Sequence, residues 1–132
     1  MIQYLSVNQI LYIHKRLIEK YGGAIGVRDE GLLKSAIIRP QMSVFGKDAY
    51  PSLYLKSAVI FYSIINNHPF FDGNKRTAFG AMHMMLLING YDLVAQEKEA
   101  ENFCLRVILD KIKENKIAEW IENHSKKNKS KK

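Results

Sequence analysis

The sequence predicts an all-α or nearly all-α domain with at most a small β element. Three observations carry that expectation. Polar capping residues recur ahead of apolar residues at helical spacing, and Gly-Gly, Pro or Asn-Gly punctuation closes most of those stretches. Only one short segment, Tyr91 to Ala95, reads as a strand. The 132 residues, 47% hydrophobic and 25% charged, suit one globular core and are too few for two of ordinary size. The expected division is a single domain over residues 1–125 and a disordered lysine-rich tail over 126–132.

Ser6, followed three residues later by Gln9, is a capping-box pattern. Ile10, Ile13, Leu17 and Ile18 then recur at helical spacing until Tyr21-Gly22-Gly23 stops the helix. Asp29 can cap a second helix carrying Leu32, Leu33, Ala36 and Ile37, closed by Pro40 because the residue before proline avoids helical geometry. Residues 41–51 hold Gly46 and two aromatics without a period and read as a mobile loop or flap. Ser52 can cap a longer helix to about Asn67, on which Leu55, Val59, Tyr62 and Ile65 or Asn66 trace one face among mostly apolar neighbours. A helix apolar on most sides belongs at the centre of a fold. Pro69 ends it near His68. Another helix is expected from about Asn74 to Asn89-Gly90, with Ala78, Met82, Met85 and Leu86 inward. Helices near 97–112 and 116–124 complete the chain, the last carrying Ile117, Trp120 and Ile121.

The formal charge of +7 on its face suggests a nucleic-acid binder. The distribution argues otherwise. Five cations (Lys126, Lys127, Lys129, Lys131 and Lys132) fall in the last seven residues, which leaves the other 125 nearly balanced at +2. The tail reads as a solvated end, with weak salt-sensitive contacts to RNA or an acidic partner as the sharper alternative. Cys104 is the single cysteine, which excludes an intrachain disulfide and a cysteine-rich zinc site. No stretch approaches the ~20 apolar residues of a membrane span, and the first residues do not resemble a secretory signal. The expected compartment is the cytoplasm.

Between two buried helices, His68-Pro69-Phe70-Phe71-Asp72-Gly73-Asn74-Lys75-Arg76-Thr77 concentrates an imidazole, a carboxylate, a glycine and two cations. Free amides of a helix starting near Asn74 point at the loop and, with the helix dipole, favour an anion. Gly73 lets the backbone approach a bound group, and Lys75 and Arg76 add positive charge. Phosphate is the natural ligand. Asp72 is a hard oxygen donor suited to Mg²⁺ shared with phosphate oxygens, and His68 can take a proton from an attacking hydroxyl. Together they read as phosphate-ester transfer, with Phe70 as the buried anchor of the loop.

These residues closely resemble the signature of the Fic/Doc family, His-x-Phe-x-(Asp/Glu)-(Gly/Ala)-Asn-(Gly/Lys)-Arg. Tyr21-Gly22-Gly23, Asp29 to Leu33, Ala36 to Pro40, Asn89-Gly90-Tyr91 and Ile117 to Trp120 are also similar to its death-on-curing (Doc-type) branch. The resemblance implies a compact helical Fic fold, use of Mg²⁺ with ATP or another nucleoside triphosphate, and modification of a protein hydroxyl. It implies His68 and Arg76 as catalytic residues, Asp72 as the metal ligand, and Gly73, Asn74, Lys75 and Arg76 as the nucleotide-phosphate site. Lys75 and Phe79 follow the Doc-type pattern, whose best-known activity is phosphorylation of elongation factor Tu. Gly73 is shared with the adenylylating branch, so nucleotidyl transfer stays open beside phosphoryl transfer. The inhibitory Ser/Thr-x-x-x-Glu-Gly/Asn pattern of many Fic proteins is missing: the Glu-Asn pairs at Glu101, Glu114 and Glu122 follow Glu97, Asp110 and Ala118 by four residues. The resemblance therefore implies restraint by a separate antitoxin protein.

Other residues carry bland readings. His14, His83 and His124 share no metal-ligand spacing and read as structural or surface groups. Met82, Met84 and Met85 read as core filler, and Cys104 as a small buried hydrophobe. Arg39 serves the flap, a target or the surface. A non-catalytic binding module is the reading from another class, opposed by the balanced body and the intact motif. A P-loop is excluded, because Gly73 to Thr77 lacks the Gly-Lys-Ser/Thr core.

Overall fold

Ser6 does what its position predicts: its hydroxyl accepts from Gln9 N–H at 3.2 Å, and the Gln9 side chain accepts from Ser6 N–H at 2.8 Å. That reciprocal cap starts α1 (Val7–Tyr21) in a computed structural model that describes residues 1–128. Asp29 caps α2 (Glu30–Ile38) through Leu32 N–H at 3.0 Å. Ser52 caps α3 (Leu53–Asn67) through Leu55 N–H at 3.0 Å. Beyond these lie α4 (Asn74–Leu87), α5 (Glu97–Leu109) and α6 (Glu114–Asn123). Among the described residues the only sheets are two small two-stranded ones, so the fold is mostly helical, as the capping pattern predicts.

α3 is the central element. It packs against α2, α4 and α6, and Ala58, Val59, Ile60, Phe61, Ile64 and Ile65 are buried. Its deepest surface includes Ala58, Phe61 and Ile65, while Leu55 and Tyr62, expected inward, are only half-buried. α6 closes the far side of α3 with Ile117 and Ile121, both fully buried. Trp120 stacks on Phe103 of α5 at 4.0 Å and on His124 at 3.9 Å. α1 crosses α4 closely at Gly80, where a Cβ would meet Ile13 Cγ2 at 2.9 Å.

Several boundaries differ from the sequence expectation. α5 ends at Leu109 and not near 112, because the chain turns through Lys111 at φ 51°. α6 begins two residues earlier than expected. Within residues 41–51, expected as a mobile loop or flap without a period, Ser43–Val44 (β1) and Lys47–Asp48 (β2) form a hairpin. Its turn residues, Phe45 and Gly46, both have positive φ (51° and 76°), the combination that matches strand twist in a two-residue turn. The expected start of a disordered tail at residue 126 is also corrected. Ser125–Lys127 (β4) pairs antiparallel with Tyr91–Leu93 (β3), and Asn128 N–H donates to Gly90 C=O at 2.7 Å. A backbone ladder is indifferent to a run of lysines, and Lys126 sits opposite Asp92, a favourable cross-strand pair. The rest of the expected tail, 129–132, lies outside the described residues. No helix among the described residues is long and apolar enough to cross a membrane.

Candidate active site

The loop between α3 and α4 is held from three sides. Pro69 forbids continued helix, and His68 caps α3 in the left-handed region at φ 50°, ψ 60°. Arg28 reaches across to stabilise that turn: its Nε donates to His68 C=O at 2.7 Å and its Nη2 to Asn67 C=O at 2.8 Å. Pro69 C=O accepts from the N–H groups of Arg28 (2.7 Å) and Asp29 (3.0 Å), and Val27 bridges Phe70. The α1–α2 connection thus runs beside the loop as a short extended clip. Phe70 is the anchor the sequence predicts, 1% exposed, with the His14 ring stacked 3.9 Å from it at 8°.

Asn74 was expected at the phosphate site, and its side chain is engaged elsewhere. Its Oδ1 accepts from Phe70 N–H and its Nδ2 donates to Phe70 C=O, both at 2.9 Å. The amide group closes the loop on itself, which leaves only the Asn74 backbone N–H for an outside anion. Gly73, the N-cap, lies at φ 73°, ψ 18°, a conformation glycine adopts without steric cost, and no side chain caps α4. A helix start without a side-chain cap presents its first-turn N–H groups to whatever sits above it. Lys75 and Arg76 are exposed on that turn, and the Arg76 guanidinium stacks 4.1 Å over the Tyr21 ring.

The Asp72 side chain is exposed and accepts one hydrogen bond, from Ala24 N–H to Oδ2 at 3.1 Å. No group of three His, Cys, Asp or Glu side chains converges among the described residues. One accessible carboxylate beside an anion nest fits a Mg²⁺ that takes most of its ligands from phosphate and water, not a metal caged by protein.

From Lys75 and Arg76 a groove of about 600 Å³ runs between α1, α4, β3 and α5, walled by Leu17, Tyr21, Phe79, His83 and Leu105. Burial pushes the His83 imidazole below its ordinary value, against the raising effect of the Asp92 charge, so it stands neutral in the wall. Cys104 also borders the groove; burial pushes its thiol up to about 12, which suits the inert hydrophobe expected of it. Arg39 serves the flap, one of the roles expected of it: it donates to Tyr50 Oη at 3.1 Å, to Ser63 Oγ at 3.2 Å and to the Glu114 carboxylate. Burial opposes its charge, but the bonds to Glu114 and Tyr50 raise its pKa overall.

Sequence reading placed His68, Asp72, Gly73, Lys75 and Arg76 on one loop and helix start, and the fold keeps them there. Arg28 and His14 join them as supports of the loop, Arg28 without any sequence expectation and His14 as one of the structural groups expected. His14 did leave a signal, since it falls at i+4 from Ile10 and i−4 from Ile18 on the buried face of α1. Arg28 left none, as its partners are backbone carbonyls forty residues away.

The Fic/DOC family model matches residues 4–86, which takes in the central helix, this loop and nearly all of α4. The chain belongs to the Fic/DOC family. Within that family it is similar to Toxin Doc of Mycolicibacterium smegmatis, with 51% identity over 75 residues, 57% of this chain and 58% of that protein. It is also similar to Protein kinase doc of Escherichia phage P1, with 30% identity over 89 residues, 67% of this chain and 70% of the relative. The matched segment therefore spans under two thirds of the length of Toxin Doc. The resemblance expected from residues 68–76 is borne out at the level of the Doc-type members.

Proposed function

We propose that this chain is the toxin of a toxin–antitoxin pair. It transfers phosphate from a Mg²⁺-bound nucleotide, ATP in the first instance, to a hydroxyl of a protein target and so arrests translation. A translation factor such as elongation factor Tu is the target class, and a separate antitoxin chain in the same cytoplasm is the restraint. The observation that carries the reading is the α4 start with no side-chain cap, with Gly73 left-handed, Asp72 exposed beside it and two cations on its first turn. In this reading His68 takes the proton of the attacking hydroxyl. The amides from Gly73 to Arg76, with the Lys75 and Arg76 charges, hold the phosphates and the charge that develops on them. Asp72 would hold Mg²⁺, which supplies further neutralisation of the phosphate oxygens.

The printed name of the phage relative, a protein kinase, supports the phosphoryl reading, as do Lys75 and Phe79. Gly73 favours the second reading, nucleotidyl transfer. Purified protein with Mg²⁺, cell extract and ATP labelled at the γ- or the α-phosphate separates them, with His68→Ala as control. Label from γ alone supports a kinase, label from α a nucleotidyl transferase, and no label from either removes both. His68→Ala is expected to lower transfer ~10²–10⁴-fold with an unchanged melting temperature; full activity in that variant would sink the assignment.

A further inference from the structure

His14 is 3% exposed on the core face of α1 and has no part in the chemistry described above. Its Nε2 lies 2.8 Å from the carbonyl oxygen of Asp72. A carbonyl only accepts, so Nε2 carries the proton and donates. The ring is stacked flat on Phe70, and a Cβ at Gly73 would lie 3.7 Å from its Cδ2 and Nε2. One imidazole therefore floors the Asp72–Gly73 peptide and ties it to the anchor of the loop.

The consequence follows from peptide geometry. In a trans peptide the C=O and N–H point in opposite directions. With the Asp72 oxygen drawn inward onto His14, the Gly73 N–H faces outward. A left-handed Gly73 followed by a right-handed Asn74 then turns successive N–H groups toward one point, the arrangement of an anion-binding nest. We propose that His14 is a positioning residue for the phosphate site: its Nε2–H holds the Asp72–Gly73 peptide in the orientation that presents the Gly73 amide to a bound phosphate. This rests on the phosphate reading of the loop, but not on which group is transferred.

The test uses the full chain labelled with ¹⁵N, with Mg²⁺ and inorganic pyrophosphate as the probe. In the parent protein the His14 ring should be the Nε2–H tautomer with a slowly exchanging proton, and the Gly73 amide resonance should shift on addition of the probe. His14→Phe keeps a flat ring on Phe70 and removes the donor. It should weaken the Gly73 response at least tenfold and raise KM for ATP more than it lowers kcat. His14→Gln, which returns an N–H donor, should recover most of both. An Nδ1–H tautomer, a parent Gly73 amide indifferent to pyrophosphate, a His14→Phe variant that binds like the parent, or a Gln variant as poor as Phe would each overturn the proposal. A Gly73 shift in a protein that transfers no label from ATP supports the role of His14 and removes only the reading of the activity.

Discussion

His68 keeps a left-handed backbone at φ 50°, a conformation that costs a non-glycine residue about 1–2 kcal/mol. Two charge-assisted bonds from Arg28 to the His68 and Asn67 carbonyls help offset that strain. Arg28→Ala should therefore lower transfer about tenfold, the equivalent of one lost bond of this kind, while the melting temperature moves by a few degrees at most. An unchanged rate would show that Pro69 and the bonds it accepts suffice to hold the turn. His83 makes a prediction of a different sort. Burial depresses its pKa, so its contribution to stability is complete above the ordinary histidine value of about 6.5 and is lost as pH falls through the lower folded value. Thermal melts from pH 8 to 5 should fall below about 6.5, and His83→Gln should flatten that part of the curve. Much of the site was legible at this scale because its chemistry is contiguous in sequence. What stayed hidden was each side chain acting on backbone: His14 on Asp72 and Arg28 on His68 from afar, and Asn74 on Phe70 within the loop itself.

The hairpin of β1 and β2 shows how an element with little core of its own is mounted. Its strands and turn are exposed, yet Lys56 of α3 is 1% exposed beneath it, donating to Asp48 Oδ2 at 2.6 Å and to Pro40 C=O at 3.1 Å. One ammonium thus fastens the chain on both sides of the turn. Its hydrogen bond to Lys56 holds the Asp48 carboxyl below the usual range. For Lys56, burial opposes the charge, but the bonds to Asp48 and Tyr4 outweigh it and raise the pKa. The signs fix the window: the pair is complete above the ordinary Asp value of about 3.9, weakens as pH falls through the lowered one, and survives at alkaline pH to beyond about 10.5. Asp48→Asn should quicken proteolysis within residues 43–48 at pH 7, whereas Lys56→Met, which leaves no buried charge stranded, should be the milder change. Cleavage at parental rates in both variants would show that the Arg39–Tyr50 bond alone fastens the segment. At α4, Gly80→Ala improves helix propensity but drives a methyl to 2.9 Å from the stiff branch of Ile13. The net expectation is destabilisation of about 1–3 kcal/mol, read as a lower melting temperature. Helices were legible in the sequence where caps and periodicity agreed. The hairpin and β4 were not, because short ladders are specified by backbone partners and turn angles more than by side-chain pattern.

In the whole molecule, the chain length and composition predicted one core, with the mostly apolar α3 at its centre, and buried residues from α1 through α6 do join in one cluster. How the pieces close was not legible, since nothing in α3 itself says which helix will cover it. That cover is α6, residues 114–123, near the end of the chain. Every side chain and clip that shapes the loop, from His14 through Arg28 to Asn74, is synthesised earlier. The order of synthesis thereby separates having the site from having the fold: a chain emerging from a ribosome owns all its loop residues while α3 still lacks its last partner. A version ending before residue 114 should carry the complete sequence signature and yet be aggregation-prone and inert, which sedimentation and the labelling assay would show.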